Sequence, residues 1–206
     1  MILRRLFFCL LLSLVPLMAA PDLGVLREGD IVFSGSPHGQ GEAIIAATGS
    51  KYTHCGIVFL DERGRMCVLE AVQPVRVTPI RDFMKRDSGK VFAVKRLRKP
   101  VTPDAYRKAR QWAVRQVGKD YDPRFLWDDK NLYCSELVWK IYQKAGVRLC
   151  EPKRFRDYRL DRPEVKRIIE ERYGSADRLP QDEQVVAPSD IAESELLLAV
   201  DLTKKS

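Results

Sequence analysis

Two β-rich segments joined by a short turn constrain the fold of this chain most strongly. Tyr52–Leu60 and Met66–Val72 are rich in β-branched and other apolar residues, and the polar segment between them ends near Gly64. Glycine is favoured where a hairpin turn needs a left-handed backbone conformation. A three-residue loop after Asp61 would place that residue opposite Arg65. The sequence therefore predicts an antiparallel hairpin in this register.

The remaining segments predict an α+β fold, in which helices pack against one antiparallel sheet. The other predicted strands are Ile31–Phe33, Val91–Leu97 and Glu195–Leu202. The predicted helices are Gln40–Ala47, Pro103 to about Gln116 with Thr102 as its cap, about Cys134 to Gly146, and Pro163 to just before Gly174. Residues 179–188 are expected to form a loop.

The N-terminus has the pattern of an export signal. Arg4 and Arg5 precede an almost wholly apolar run, which ends at Ala19 and Ala20. We expect residues 1–20 to be a secretory signal, or a membrane anchor if they are not removed. Residues 21–206 are then a single domain, in keeping with a length of 206 residues and a hydrophobic content of 45%. The mature protein is expected to be periplasmic or extracellular.

Charge and residue counts limit the partners of this chain. The net charge is +8, but the basic residues are scattered and not interleaved with aromatic residues, so no nucleic acid partner is expected. A mildly basic exported protein is attracted to anionic polymers, which makes peripheral contact with the cell wall or the membrane surface an expected interaction. With two histidines and no C-x-x-C motif, the sequence indicates neither a metal site nor a cofactor.

Cys134 occupies a chemically distinctive position at the predicted start of a helix. It shares the apolar face formed by Leu137, Val138 and Ile141, so it should point toward the sheet. The free amides and the dipole at a helix N-terminus favour an anion, which lowers the pKa of a thiol and increases its thiolate fraction. The competing interpretation is a small buried residue that only fills space in the core.

His54 is the better candidate for a base that acts on this thiol. His38, the other histidine, lies in a glycine-rich loop and is expected to be solvated. In the predicted hairpin, Glu70 is the diagonal neighbour of His54 on the same face of the sheet. A buried glutamate requires a partner, and a carboxylate next to a histidine fixes the tautomer that a base needs.

The same register keeps the two hairpin cysteines apart. Cys55 and Cys67 share a face but lie four residues from one another along it, about 13 Å. A disulfide requires Cα atoms within about 7 Å, so no disulfide is expected between them.

Five segments carry a resemblance to a known family. They are Gly29-Asp30-Ile31-Val32-Phe33, Ser50-x-Tyr52-Thr53-His54-x-Gly56-Ile57-Val58, Leu69-Glu70-Ala71, Gly118-Lys119-Asp120-Tyr121-Asp122 and Tyr133-Cys134-Ser135-Glu136-Leu137-Val138. Together they resemble the permuted papain-like amidases of the YiiX/YaeF type, a circularly permuted branch of the NlpC-like cysteine peptidase superfamily. The histidine precedes the cysteine, in the reverse of papain's order.

The resemblance implies a permuted papain-like fold and a role for each matched residue. Cys134 would be the nucleophile, His54 the general base and Glu70 the residue that orients the histidine. Tyr121 resembles a tyrosine near the nucleophile and the oxyanion in that superfamily, although a core aromatic is an equal alternative. Tyr52 is a looser candidate for lining the site.

The implied function is that of a cysteine hydrolase. It would cleave an amide in a peptide or a small amidated compound, for example one derived from the cell wall, through a thioacyl-enzyme intermediate. A lipid acyltransferase or thioesterase on the same fold is one alternative, and a ligand-binding module with inert cysteine and histidine is another. The expected partners are therefore small peptide, amide or lipid substrates.

Overall fold

The structure is a computed structural model that describes residues 21–86 and 91–203. The expected signal segment, residues 1–20, lies outside the described residues, so export remains a prediction. Within the described ranges, no helix combines the length and the apolar character that crossing a membrane requires.

An antiparallel sheet and the helices packed on it form the core. The strands are β1 (Ile31–Ser34), β2 (His54–Leu60), β3 (Met66–Glu70), β4 (Arg76–Pro79), β5 (Phe92–Leu97), β6 (Lys153–Arg154), β7 (Gln184–Val185) and β8 (Leu197–Ala199). The α-helices are α1 (Gln40–Thr48), α2 (Ile80–Lys85), α3 (Pro103–Val114), α4 (Cys134–Lys144), α5 (Pro163–Tyr173) and α6 (Pro188–Ala192). Six of these strands form the main sheet in the order β4-β3-β2-β1-β5-β8, and all of its pairings are antiparallel. This confirms the predicted α+β class.

The hairpin formed by β2 and β3 has the predicted register. Leu60 pairs with Met66, and the Asp61 amide donates to the Arg65 carbonyl at 3.0 Å. Gly64 adopts a φ of +71°, the left-handed conformation expected of it in this turn. The register therefore places Glu70 diagonally across from His54, as the sequence predicted.

The two faces of the sheet carry separate apolar clusters. Residues of β2 that face α4, among them Cys55 and Ile57, pack in a cluster with Cys134. Val58 and Val68 point the other way and pack with Phe83 of α2. His54, the first residue of β2, lies between these clusters: its ring stacks on Phe83 of one, and Cys134 belongs to the other.

Several element boundaries differ from the sequence prediction. β2 begins at His54, because the Tyr52 amide donates to Ser50 Oγ at 3.2 Å in the turn before the strand. β3 ends at Glu70, where the chain turns toward β4. The helix predicted to run to about Gln116 ends at Val114. After it the chain tightens into i→i+3 turns, and Val117 is 45% exposed.

Some elements were not predicted at all. They are β4 and α2 after the hairpin, the two-residue pair of β6 and β7, and α6. Apart from Thr78, the residues of β4 are exposed, and a strand with a single buried side chain shows too little alternation to be recognised. Residues 179–188, predicted as a loop, contain β7 and the start of α6.

Candidate active site

Cys134 is the first residue of α4 and is buried, with 3% of its surface exposed. The preceding Tyr133 has no side-chain oxygen bound to the first turn, and helix geometry leaves the first amides without intrahelical acceptors. These amides and the helix dipole create a positive environment around the Cys134 sulfur. The predicted placement of Cys134 at a helix start, facing the sheet, is confirmed.

His54 lies between Cys134 and Glu70. Its Nε2 is 2.6 Å from a carboxylate oxygen of Glu70. On its other side the imidazole is close enough to the Cys134 sulfur for the negative charge there to raise its pKa. An ionised carboxylate only accepts hydrogen bonds, so Nε2 carries a proton. Nδ1 is therefore the nitrogen that can exchange a proton with the sulfur. The imidazole also stacks on Phe83, with ring centroids 5.6 Å apart, so it connects the two faces of the sheet.

Glu70 is completely buried and is held by three donors. Besides His54, both terminal nitrogens of Arg86 donate to its two carboxylate oxygens, at 2.8 and 2.5 Å, and the Thr78 hydroxyl donates at 2.6 Å. Although burial raises the pKa of Glu70, the hydrogen bonds from Arg86 and His54 outweigh it and lower that pKa to about 2. Glu70 is thus ionised over the physiological pH range.

Arg86 and Thr78 are contacts that sequence reasoning missed. Thr78 pairs with Val68 on the edge strand β4, and Arg86 follows α2. Neither element was predicted from the sequence. A signal was nonetheless present in the chain, because a fully buried carboxylate next to a histidine needs further donors.

The charges of Cys134 and His54 stabilise one another. Burial lowers the pKa of His54, but the negative charge of Cys134 and its hydrogen bond, with the hydrogen bond of Glu70, raise it to about 10. The hydrogen bond from Cys55 and the charge of His54 hold the pKa of Cys134 well below its usual value, against the effect of burial. The resting state favoured by these shifts is a thiolate–imidazolium pair.

Cys55 is a further residue of the site that sequence reasoning missed. Its thiol and its backbone amide are close enough to the Cys134 sulfur to lower the pKa of Cys134. Burial raises the pKa of Cys55 well above its usual value, so it stays protonated and can donate. None of Cys55, Cys67, Cys134 and Cys150 takes part in a disulfide.

Gly56 allows β2 and β3 to approach closely between His54 and Glu70. A Cβ atom at this position would lie 2.4 Å from Val68 Cγ1 and 2.9 Å from the Leu69 carbonyl oxygen. Only glycine fits such a contact without movement of the strands. This explains why a glycine follows the histidine at this spacing.

Tyr121 is brought to the site by its pairing with the segment before α4. It forms a parallel bridge with Leu132, and the Asp122 amide donates to the Leu132 carbonyl at 3.1 Å. Burial and the negative charge of Cys134 both raise the pKa of Tyr121, so the phenol stays protonated. Gln40 Nε2 donates to the phenolic oxygen at 2.8 Å.

Tyr52 and His38 are placed differently from Tyr121. Tyr52 packs against the cluster that contains Cys134 and lies 5.2 Å from the ring of Phe33, in a tilted arrangement. It is not among the residues that line the cavity beside Cys134. His38 is exposed in its loop, in keeping with the solvated role expected for it.

An apolar cavity of about 110 Å³ adjoins Cys134 on the side of Tyr121. Its walls come mainly from α1, α5 and residues 179–188, which we call the C-terminal segment. They are almost wholly apolar and include Ile44, Phe155, Ile169, Leu179 and Val186. The Ser135 hydroxyl donates to the Val186 carbonyl at 2.6 Å, and this bond joins the C-terminal segment to the start of α4. Residues after Leu149, to which the sequence assigned no role, thus form much of the wall beside the candidate nucleophile.

Comparison with known proteins shows which family the chain resembles in sequence and in fold. Residues 25–201 match the model of a family described as permuted papain-like amidase enzymes, YaeF/YiiX. The uncharacterised protein YiiX of Escherichia coli is 34% identical over 198 residues, which cover 96% of this chain and 95% of the relative. A crystal structure of the metalloprotein yiiX from an Escherichia coli strain superposes with a TM-score of 0.79 and 35% identity, over 85% of this chain and 97% of that one.

The chain therefore belongs to the permuted papain-like amidase family. The predicted family and fold class are both confirmed. The permutation explains why His54 precedes Cys134 in the sequence while the two side chains meet in space.

The described residues do not form a metal centre of the kind that the word metalloprotein suggests for the relative. In residues 21–86 and 91–203, no group of three or more His, Cys, Asp or Glu side chains is arranged to hold a metal ion. The oxygens of Glu70, the carboxylate nearest the candidate nucleophile, already accept hydrogen bonds from Arg86, Thr78 and His54.

Proposed function

We propose that this protein is a cysteine hydrolase that cleaves an amide through a thioacyl-enzyme intermediate. Cys134 is the nucleophile, His54 the general acid and base, and Glu70 the residue that orients the histidine. The observation that carries the proposal is that His54 lies between the Cys134 sulfur and the buried Glu70, with its Nε2 2.6 Å from the carboxylate and its charge coupled to that of Cys134. A cysteine or histidine that only filled core space would not need this fully partnered carboxylate.

In the first half of the reaction, the Cys134 thiolate attacks the carbonyl carbon and a carbon–sulfur bond forms. The protonated Nδ1 of His54 then transfers its proton to the leaving nitrogen, and the carbon–nitrogen bond breaks. The negative oxygen formed in between is stabilised by the free amides at the start of α4. The products are an amine and a thioacyl enzyme.

In the second half, water attacks the thioacyl carbonyl carbon. Neutral His54 removes the proton from this water, and collapse of the intermediate breaks the carbon–sulfur bond. A carboxylic acid leaves, and the thiolate–imidazolium pair is restored. Glu70 remains ionised throughout and stabilises the positive charge of the imidazolium.

The test is to trap the covalent intermediate. The protein is mixed with a p-nitrophenyl ester and with the matching p-nitroanilide, quenched in acid and mapped by mass spectrometry. We expect an acyl group on Cys134 and release of nitrophenol or nitroaniline, both lost in Cys134→Ser. The proposal would be rejected if hydrolysis continued in Cys134→Ser and no acyl group were found on Cys134 of the wild-type protein.

A second candidate is a thioesterase or an acyltransferase that acts on lipid-like substrates. The apolar cavity beside Cys134 supports it, because its walls suit an acyl or aryl group better than a charged peptide side chain. Each buried methylene contributes about 0.8 kcal/mol, or roughly fourfold in kcat/KM, until the cavity is filled. A series of p-nitrophenyl esters of increasing acyl length measures this preference, and added ethanolamine distinguishes acyl transfer from hydrolysis.

A further inference from the structure

Gln40 and Arg172 hold Tyr121 from the side away from the sheet. Gln40 is the first residue of α1, and its Nε2 lies 2.8 Å from the phenolic oxygen of Tyr121. Arg172 of α5 donates to Gln40 Oε1 at 2.5 Å and to the Pro123 carbonyl at 2.6 Å. Three segments that are distant in the sequence thus meet in one chain of hydrogen bonds.

The direction of these hydrogen bonds is fixed by the guanidinium of Arg172. Arginine can only donate, so the carbonyl oxygen of the Gln40 side chain must face Arg172. The amide nitrogen of Gln40 then faces Tyr121 and donates to the phenolic oxygen. The phenolic proton must point elsewhere, and no acceptor for it is found among residues 21–86 and 91–203.

The phenol lies beside the candidate nucleophile. Tyr121 and Cys134 line the same cavity, and the two are near enough that a negative charge on the sulfur raises the pKa of Tyr121. The oxyanion of a tetrahedral intermediate is bonded to the carbon that the sulfur has attacked, so it lies within about 3 Å of the Cys134 sulfur. A phenolic proton directed into this space can donate to that oxygen.

We propose that Gln40, itself oriented by Arg172, turns the Tyr121 hydroxyl so that its proton is presented to the oxyanion. Gln40 and Arg172 are positioning residues in this arrangement, and Tyr121 is the donor. The inference rests on the proposed cysteine hydrolase function and on the place near the oxyanion that the family resemblance implies for Tyr121. Its new element is the control of the phenolic proton by Gln40 and Arg172. Through Arg172, α5 takes part in the site.

The decisive substitution is Gln40→Glu, which nearly preserves shape and retains the contact with Arg172. A carboxylate can only accept, so it would accept the Tyr121 proton and turn it away from the site. We expect kcat for p-nitrophenyl acetate hydrolysis to fall by at least tenfold, since loss of one oxyanion donor costs about 10²–10³. Gln143→Glu, the same change at an exposed position of α4, is the matched control and should match the wild type.

Alkylation of Cys134 by iodoacetamide separates this effect from damage to the nucleophile. Alkylation is a direct displacement at a saturated carbon and forms no oxyanion. We therefore expect its rate to change by less than about threefold in Gln40→Glu while hydrolysis falls. Equal losses in both reactions would show that the substitution acts on the thiolate and would overturn the inference.

Two more variants distinguish orientation from simple structural support. Gln40→Met removes both hydrogen bonds but leaves the phenol free to rotate, so its activity should lie between those of the wild type and Gln40→Glu. A structural role predicts the reverse order, because only Gln40→Glu retains the contact with Arg172. In a Tyr121→Phe background, Gln40→Glu should cause no further loss.

The outcomes also separate this inference from the proposed function. A wild-type protein that hydrolyses the ester and alkylates at Cys134, with kcat unchanged in Gln40→Glu, overturns the inference alone. A wild-type protein that does neither overturns the proposed function, and the inference falls with it.

Discussion

Arg86 binds Glu70 through both of its terminal nitrogens, so the carboxylate that orients His54 is itself fixed at two points. This bidentate contact is the largest favourable influence that lowers the pKa of Glu70 to about 2. The position of the imidazole is thus set indirectly, by a residue that binds the orienting carboxylate from the end of α2.

Replacing Arg86 should weaken the fold in a pH-dependent way. Arg86→Met leaves a buried carboxylate without its main partner, at a cost on the order of 2 kcal/mol near pH 7. A lowered pKa stabilises the fold above the unfolded value, near 4.5, and this contribution is lost as the pH falls toward about 2. The difference between wild type and Arg86→Met should therefore shrink over that range.

Urea unfolding at a series of pH values between 2 and 7 measures this convergence. Glu70→Gln is the matched control, since removal of the carboxylate should flatten the same part of the stability curve. If the difference in unfolding free energy between wild type and Arg86→Met stays constant with pH, the effect of Arg86 comes from packing. One such contact is with Phe83, whose ring centroid lies 5.6 Å from the Arg86 guanidinium.

His54 and Glu70 should differ in how much activity their loss removes. His54→Ala removes the group that transfers protons, so turnover should fall to background. Glu70→Gln keeps the imidazole but loses the charge that orients it, and kcat should fall by roughly 10–100-fold. Steady-state assays with the p-nitrophenyl ester compare the two. His38→Ala, at the exposed histidine, should be fully active, and a fully active Glu70→Gln would exclude the orienting role.

Cys134 should be the most reactive thiol at mildly acidic pH. Its pKa is held well below the usual value by the hydrogen bond of Cys55 and the charge of His54, whereas burial raises that of Cys150 to about 12. At pH 6, limiting iodoacetamide should therefore label Cys134 first, with activity lost in parallel. Peptide mapping identifies the labelled residue.

His54→Ala serves as the control for this labelling. Because the imidazolium that stabilises the thiolate is then absent, the preference for Cys134 should decline. Labelling of Cys150 in a native protein whose Cys134 stays unmodified would show that Cys134 is an inert core residue.

Gly56 should not tolerate a side chain. Gly56→Ala places a Cβ 2.4 Å from Val68 Cγ1, and such overpacking costs about 1–3 kcal/mol. Thermal unfolding should show this loss. Adding Val68→Ala removes the Cγ1 atom, so the double variant should be more stable than the sum of the two single changes predicts. Purely additive changes would contradict the close contact as the cause.

The part of the site that depends on local pattern could be predicted from the sequence. The turn after Asp61 fixed the register of the hairpin, and the register brought Glu70 to His54. The predicted start and the apolar face of α4 likewise indicated where Cys134 would lie. In both cases the residues lie within one hairpin or one helix, where the periodicity of the strand or the helix determines which side chains share a face.

Contacts between distant segments could not be predicted in this way. Gln40 and Arg172 are 132 residues apart, and no periodicity connects the start of α1 with the end of α5. Arg86 follows a short helix beside an edge strand, an element too brief to recognise. From the sequence alone, Cys55 is indistinguishable from a core residue of a strand. The pairing of β2 with β3 ends at Ile57 and Leu69, so the Cys55 amide is not used in that pairing, and the sequence does not show this.

The position of His54 at the first residue of β2 has a consequence for evolution. The Glu70–Arg86 pair packs on one side of the sheet with Phe83, whereas the cavity beside Cys134 is built by α1, α5 and the C-terminal segment on the other. Substitutions among the apolar cavity residues, such as Ile44 and Ile169, are therefore remote from the Glu70–Arg86 pair that holds His54. Descendants of one ancestor can therefore diverge in the compounds that they accept while they inherit the same chemistry.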